Sequence, residues 1–183
     1  ELIAYAKANP GKLNAGSSGI TTTGHLALEV FNQQTGSQIN HIPYRGGAPA
    51  ATALIAGEID LIFSTVPSII QHIKSGRVRA IAVTGEKSLD ALAGIKPIRE
   101  QGVPGYKIGS WYGILAPIGT PNHIILKINA ELGRIIEMPD VKSKLLEQGW
   151  TTVHTSPAQM NQQIKTGIQE WKIVIQKANI TLD

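Results

Sequence analysis

The sequence predicts an α/β fold built on a parallel or mixed sheet, and three observations lead there. Short apolar runs recur at residues 13–17, 39–43, 59–63 and 78–84. Each of the first three runs into a loop of small, hydroxyl or glycine residues. Helix-like spacing of apolar residues separates them, and short loops join them. Strands alternating with helices in this way favour a sheet covered by helices. After residue 120 the pattern becomes almost wholly helical.

The elements follow in order. Glu1 to Lys7 reads as the tail of an amphipathic helix that Asn9-Pro10-Gly11 stops. A chain opening inside a helix is either part of a longer protein or a mature chain that starts with one. Residues 13–17 form a first strand ending in Gly16-Ser17-Ser18-Gly19. Thr is a fair N-cap, so the next helix begins near Thr22 or Thr23 and stops at Gly36. Residues 39–43 form a second strand, leading through Tyr44-Arg45-Gly46-Gly47 to a helix over 50–56. Pro49 suits the first turn of that helix and Gly57 its end. Residues 59–63 give a third strand, residues 67–74 a short helix, and residues 78–84 a fourth strand apolar enough to be central. A short helix is expected over 97–101, and residues 108–117 read as a long strand or extended segment crossing between domains. Three helices follow, over 121–137, 139–148 and 157–178. Thr120 and Ser156 each stand before a proline as N-caps.

Composition narrows the function. With 42% hydrophobic and only 16% charged residues, the chain can bury a core and is not disordered. The net charge of +4 comes from scattered Lys and Arg, with no basic stripe and few aromatics for stacking, so nucleic-acid binding is not expected. Cysteine is absent, which excludes disulfides, thiol nucleophiles and Cys-based metal sites. His41, His72, His123 and His154 stand far apart without metal-ligand spacing. No cofactor is expected: the Gly16, Gly19, Gly24 spacing is no dinucleotide fingerprint, and no P-loop is present.

The chemistry is expected in three strand-to-helix loops. They carry Ser17, Ser18, Gly19, Thr21, Thr22 and Thr23; Tyr44, Gly46 and Gly47; and Ser64 and Thr65. In open α/β sheets ligands bind beyond the carboxyl ends of strands. Helix N-termini there present unpaired N–H groups and partial positive charge, which suits a carboxylate. Hydroxyls add donors without adding charge. His25, on the first turn of its helix, is placed with these residues as an orienter of the loop. No nucleophile elbow and no acid–base carboxylate pair stands out, so no enzyme is expected. Asp60 reads as a local backbone partner, Arg45 as a solvent-facing cation, and Trp111 and Tyr112 as core or as the wall of a cleft.

An ordered set of segments resembles the Bug family, the TctC-like extracytoplasmic solute receptors of tripartite tricarboxylate transporters. It includes Ala8-Asn9-Pro10-Gly11-Lys12-Leu13, Gly16-Ser17-Ser18-Gly19 with His25-Leu26-Ala27, and Ile42-Pro43-Tyr44-Arg45-Gly46-Gly47-Ala48-Pro49-Ala50. It continues through Gly57-Glu58-Ile59-Asp60, Arg79-Ala80-Ile81-Ala82-Val83-Thr84 and Trp111-Tyr112-Gly113-Ile114-Leu115-Ala116-Pro117. The resemblance spans essentially the whole chain. It implies a type II periplasmic-binding-protein fold, in which two α/β domains close on a small carboxylate held by backbone amides, hydroxyls and water.

On that resemblance, residues 13–110 form the second domain, residues 111–120 the crossover, and residues 121–183 the helical return to the first domain, whose own beginning is expected upstream of Glu1. The returning helices would then lack their sheet, and their apolar faces must pack elsewhere, self-associate or loosen. Ligand binding by the chain alone is expected to be weak or absent. The implied ligand is a mono-, di- or tricarboxylate. Ser64-Thr65 stands where members often carry Asp or Asn, which disfavours a ligand with an ammonium group. The implied partners are transporter membrane subunits, and the implied location is the periplasm. A periplasmic sensor for a two-component system and the effector domain of a transcription regulator are the alternatives.

Overall fold

The fold, a computed structural model, is described for residues 1–177 and 180. Position 178, the expected end of the last helix, lies outside these residues. Helix α1 (Leu2–Ala8) leads into strand β1 (Asn14–Ser17), helix α2 (Thr23–Thr35), strand β2 (Asn40–Pro43), helix α3 (Gly47–Ala56), strand β3 (Leu61–Ile62) and helix α4 (Val66–Lys74). Short 3-10 turns follow at Asp90–Leu92 and Ile98–Glu100. The chain then continues into α5 (Asn122–Ile136), α6 (Pro139–Glu147) and α7 (Pro157–Lys177).

The three strands form a parallel sheet in the order β2-β1-β3. Ala15 is registered against His41 on one side and Leu61 on the other. The chain steps from β1 to β2, then back past β1 to β3. Right-handed crossovers therefore place α2 and α3 on opposite faces. Side chains alternate along a strand, so Ala15, Ser17, His41, Leu61 and Phe63 share the face under α2. Phe31 of α2 meets Phe63 there at 5.8 Å and Tyr106 at 6.3 Å between ring centroids. Leu28 and Tyr106 are fully buried in this core. The Tyr106 hydroxyl donates to the Ala27 carbonyl at 2.7 Å, which ties residues 103–108 to the middle of α2.

Helix ends follow local chemistry closely. Gly36 and Gly57 take left-handed conformations just past α2 and α3, as their positions in the sequence suggest. Ser156 caps α7 by accepting the Gln159 N–H at 3.2 Å, while Gln159 returns its side-chain oxygen to the Ser156 N–H at 2.8 Å. At α5 the expected N-cap, Thr120, lies one residue early: Pro121 holds that position.

One expectation fails, and a second is narrowed. Residues 78–84 do not form a fourth strand; only Val83 bridges to Pro97. Ala80 and Val83 pack instead against Ile70 and Leu92 beneath α4. The backbone of this segment is served from single loops: Val83 bonds Lys96 and Ile98, and the Thr84 carbonyl accepts the Ile108 N–H. The end of an apolar run packed against a helix thus finds partners for its backbone without a ladder. Residues 108–117, expected as a long strand or an extended segment, form no strand. No described strand lies alongside them, and Trp111 and Tyr112 are both exposed rather than core.

Candidate ligand-binding site

All three strands end at one edge of the sheet, since they are parallel. The loops 18–22, 44–46 and 63–65 therefore open side by side, and each feeds the N-terminus of a helix. They are also in direct contact. The Gly46 N–H donates to the Ser18 carbonyl at 3.2 Å, and Gly46 takes φ +120°, which favours glycine. A Cβ on Gly24 would collide with the carbonyl oxygen of Phe63, so only glycine lets the first turn of α2 lie against the β3–α4 loop.

Between those two segments is a small hollow of about 30 Å³, lined by Thr23, Gly24, Ser64, Thr65, Thr84 and Ser110, with Ala27 and Phe63 behind. It sits between β1 and β3, whose following helices leave on opposite faces. That is the topological switch point at which open α/β sheets take ligands. Thr23, Ser64 and Thr65 were legible in the sequence as candidates; Gly24, Thr84 and Ser110 were not. Thr84 and Ser110 carry the same signal as Ser17 and Ser64, a hydroxyl closing or punctuating an apolar run. That signal pointed to neither, because neither precedes a helix.

The other candidates divide by exposure. Ser18 is exposed, while Gly19, Thr21, Tyr44 and Gly47 are half-buried along the same edge. Thr22 stands at the N-cap of α2, but its hydroxyl donates back to the Gly19 carbonyl at 2.7 Å and caps nothing. The first-turn amides of α2 thus keep no side-chain partner. Thr65 Oγ1 and Ser68 Oγ are 2.8 Å apart. Ser17 faces inward and is 0% exposed. Its hydroxyl lies 2.6 Å from His41 Nε2 and accepts the Gly19 N–H at 3.1 Å. His25 is also buried, with Nδ1 accepting the Thr21 N–H at 3.0 Å. Ser17 and His25 thus lie under the loop rather than in the hollow.

The charge balance is simple. Residues 17–25 and 63–68 carry no carboxylate or fixed cation. Arg45 is exposed, and Asp60 accepts the Asn14 N–H at 2.8 Å on the far side of the sheet. Among the described residues no group of His, Asp and Glu is arranged to hold a metal. What faces the hollow is neutral: hydroxyls, peptide N–H groups and the positive ends of helices.

Comparison with known proteins gives this edge a context. The Tripartite tricarboxylate transporter family receptor profile matches residues 1–180. The UPF0065 protein in the tcbD-tcbE intergenic region of a Pseudomonas species is 35% identical over 176 residues, covering 96% of this chain and 52% of that protein. Protein BugT of Bordetella pertussis is 30% identical over 181 residues, covering 99% and 56%. The chain thus spans just over half the length of these curated relatives. An R. palustris protein solved with adipate superposes with a TM-score of 0.92 at 34% identity, covering 98% of this chain and 60% of its own. The periplasmic binding protein BugD superposes at 0.82 with 26% identity, covering 98% and 60%. The fold is that of the periplasmic solute-binding proteins, and the chain belongs to the tripartite tricarboxylate transporter family of receptors.

Proposed function

We propose that this chain supplies the ligand-loop domain of a periplasmic receptor that captures a small organic carboxylate and presents it to the membrane subunits of a tripartite transporter. In this reading residues 13–110 are that domain, residues 111–120 cross between domains, and residues 121–183 return to the other. One observation carries the proposal: the N-termini of α2, α3 and α4 converge at a single sheet edge around neutral donors. A carboxylate placed there meets amides that have no carbonyl partner inside their helices. Each charge-assisted hydrogen bond contributes about 1.5–3 kcal/mol. The adipate held by the R. palustris neighbour supports an aliphatic acid as the ligand class. With no acid in these loops to meet an ammonium group, a plain acid fits better than an amino acid.

The acid leaves unchanged in this reading. Ser17 is close to an imidazole, but a fully buried hydroxyl cannot reach a substrate carbon.

Thermal melting of the intact gene product with adipate and citrate tests the reading. Binding to the folded state raises Tm with the logarithm of ligand concentration. Thr23→Val combined with Ser64→Ala removes two donors and should shrink that shift by an amount equal to about 1–3 kcal/mol of binding. The reading falls if neither acid moves Tm at millimolar concentration.

A further inference from the structure

Beneath the 17–22 loop, the rings of His25 (α2) and His41 (β2) stack face to face, with centroids 3.9 Å apart and planes 11° from parallel. Each ring holds the loop at a different point. His41 Nε2 meets Ser17 Oγ at 2.6 Å, and that hydroxyl in turn binds the Gly19 N–H at 3.1 Å and lies 3.0 Å from the Gly19 carbonyl. His25 Nδ1 accepts the N–H of Thr21. Thr21 is the β-branched residue with φ +61°, the one non-glycine in the left-handed region among the described residues. Such a residue keeps that conformation only where its surroundings impose it.

The hydrogen bonds fix the protonation state. Because Thr21 donates to Nδ1, the proton of neutral His25 sits on Nε2, which faces Glu29 Oε1 at 3.7 Å, too far for a hydrogen bond. A second proton on His25 would have to land on Nδ1 and displace the Thr21 amide. Two stacked imidazolium rings would also repel. Burial lowers the His25 pKa; burial and the neighbouring His25 lower that of His41 to about 4. Few other groups bear on the pair. Glu29, on α2, has its carboxyl pushed up by burial. Strand β1 and residues 18–22 carry no ionisable side chain, and Arg45 beyond β2 is exposed.

We propose that His25 and His41 are positioning residues for the anion loop: as neutral stacked rings they fix the backbone from Ser17 to Thr22, and a proton added to His25 frees Thr21 and weakens ligand binding. The proposal rests on the receptor reading of this same loop. Its sign is distinctive. A charge placed under an anion site with the loop unmoved would tighten binding in acid, whereas loss of positioning loosens it.

The test pairs two readouts on the intact gene product, with His25→Phe as the variant because it keeps a flat ring and removes the acceptor. First, amide exchange by NMR: Thr21 should be protected at pH 7 in the wild type, unprotected in the variant, and progressively less protected in the wild type as pH is lowered. Second, calorimetry with adipate: the variant should bind roughly three- to tenfold more weakly at pH 7, the scale of one lost hydrogen bond. That ratio should shrink towards one as pH falls; comparing the two proteins at each pH cancels the acid's own titration. Equal Thr21 protection in both proteins at pH 7, or a wild-type advantage that grows in acid, overturns the proposal. If adipate binds neither protein, the receptor reading fails, and Thr21 protection alone decides the role of the rings. If the variant does not fold, the wild-type pH profile of Thr21 decides it.

Discussion

Residues 1–108 and residues 111–177 obey the same local rules and end in opposite states. Both contain well-formed helices, most of them ending where glycines and prolines predict. The first region closes over a core in which Ala15, Leu28 and Tyr106 are wholly buried. In the second, Gly133 is the one described residue that is buried. Many of its apolar side chains face outward: Leu115 is 68% exposed and Ile118 fully so. What covers it are a few points of attachment. Trp171 and Val174 of α7 touch the core, Lys74 of α4 donates to the Glu147 carbonyl at 3.1 Å, and Gly149 lies against Val66 of α4. The difference teaches that an apolar stripe specifies a helix but not its burial, which needs a second surface of matching shape.

Substitution of equal size in the two regions breaks or sharpens this contrast most directly. Leu28→Ala should destabilise by about 2–5 kcal/mol, because it empties a packed site. Leu115→Ala should stay within about 0.5 kcal/mol, as an exposed side chain with little to lose. Chemical denaturation of both variants checks this, and equal effects would erase the distinction between the regions.

Acid is expected to act next, and on the first region. The folded-state pKa of His41 lies near 4, below its ordinary 6.5, and that of His25 is also lowered. The unfolded chain therefore binds protons more readily. Stability contributed by the pair is fully present above pH 6.5 and drains away as pH falls towards 4. Allowing for solvent around a half-buried ring, the loss is about 1–2 kcal/mol. Denaturant midpoints measured from pH 7 to pH 4 should decline, and His41→Asn should flatten the decline.

The smallest effect concerns the end of the first region. Tyr106→Phe removes only the hydroxyl that meets the Ala27 carbonyl, a bond worth about 1 kcal/mol. Hydrogen exchange should then rise across residues 103–110 while α5 and α7 are unaffected. A matching rise in α7 would show that the regions are coupled more tightly than their contacts imply.

Much of the fold was legible because its signals are short-range. Gly36, Gly57 and Ser156 end or begin helices through bonds to residues a few positions away. The three candidate loops could be located for the same reason: each pairs a strand end with a helix start. The fourth strand was misread because an apolar run reports burial, and burial under α4 serves Val83 as well as burial in a sheet. Thr84 and Ser110 were missed because they reach the hollow only through the path of the chain after residue 78, which no helix signal announces.

Alone, the order of residues determined where most helices stop, which loops are candidates for an anion site, and which family the chain resembles. The tertiary structure decided that Ser17 points inward, that His41 lies against His25, and that Thr21 is held in an unusual conformation. Those facts depend on the register of β1 against β2. A shift of one residue there would turn Ser17 or His41 to the other face, and register is fixed only when the sheet, α2 and the core form together.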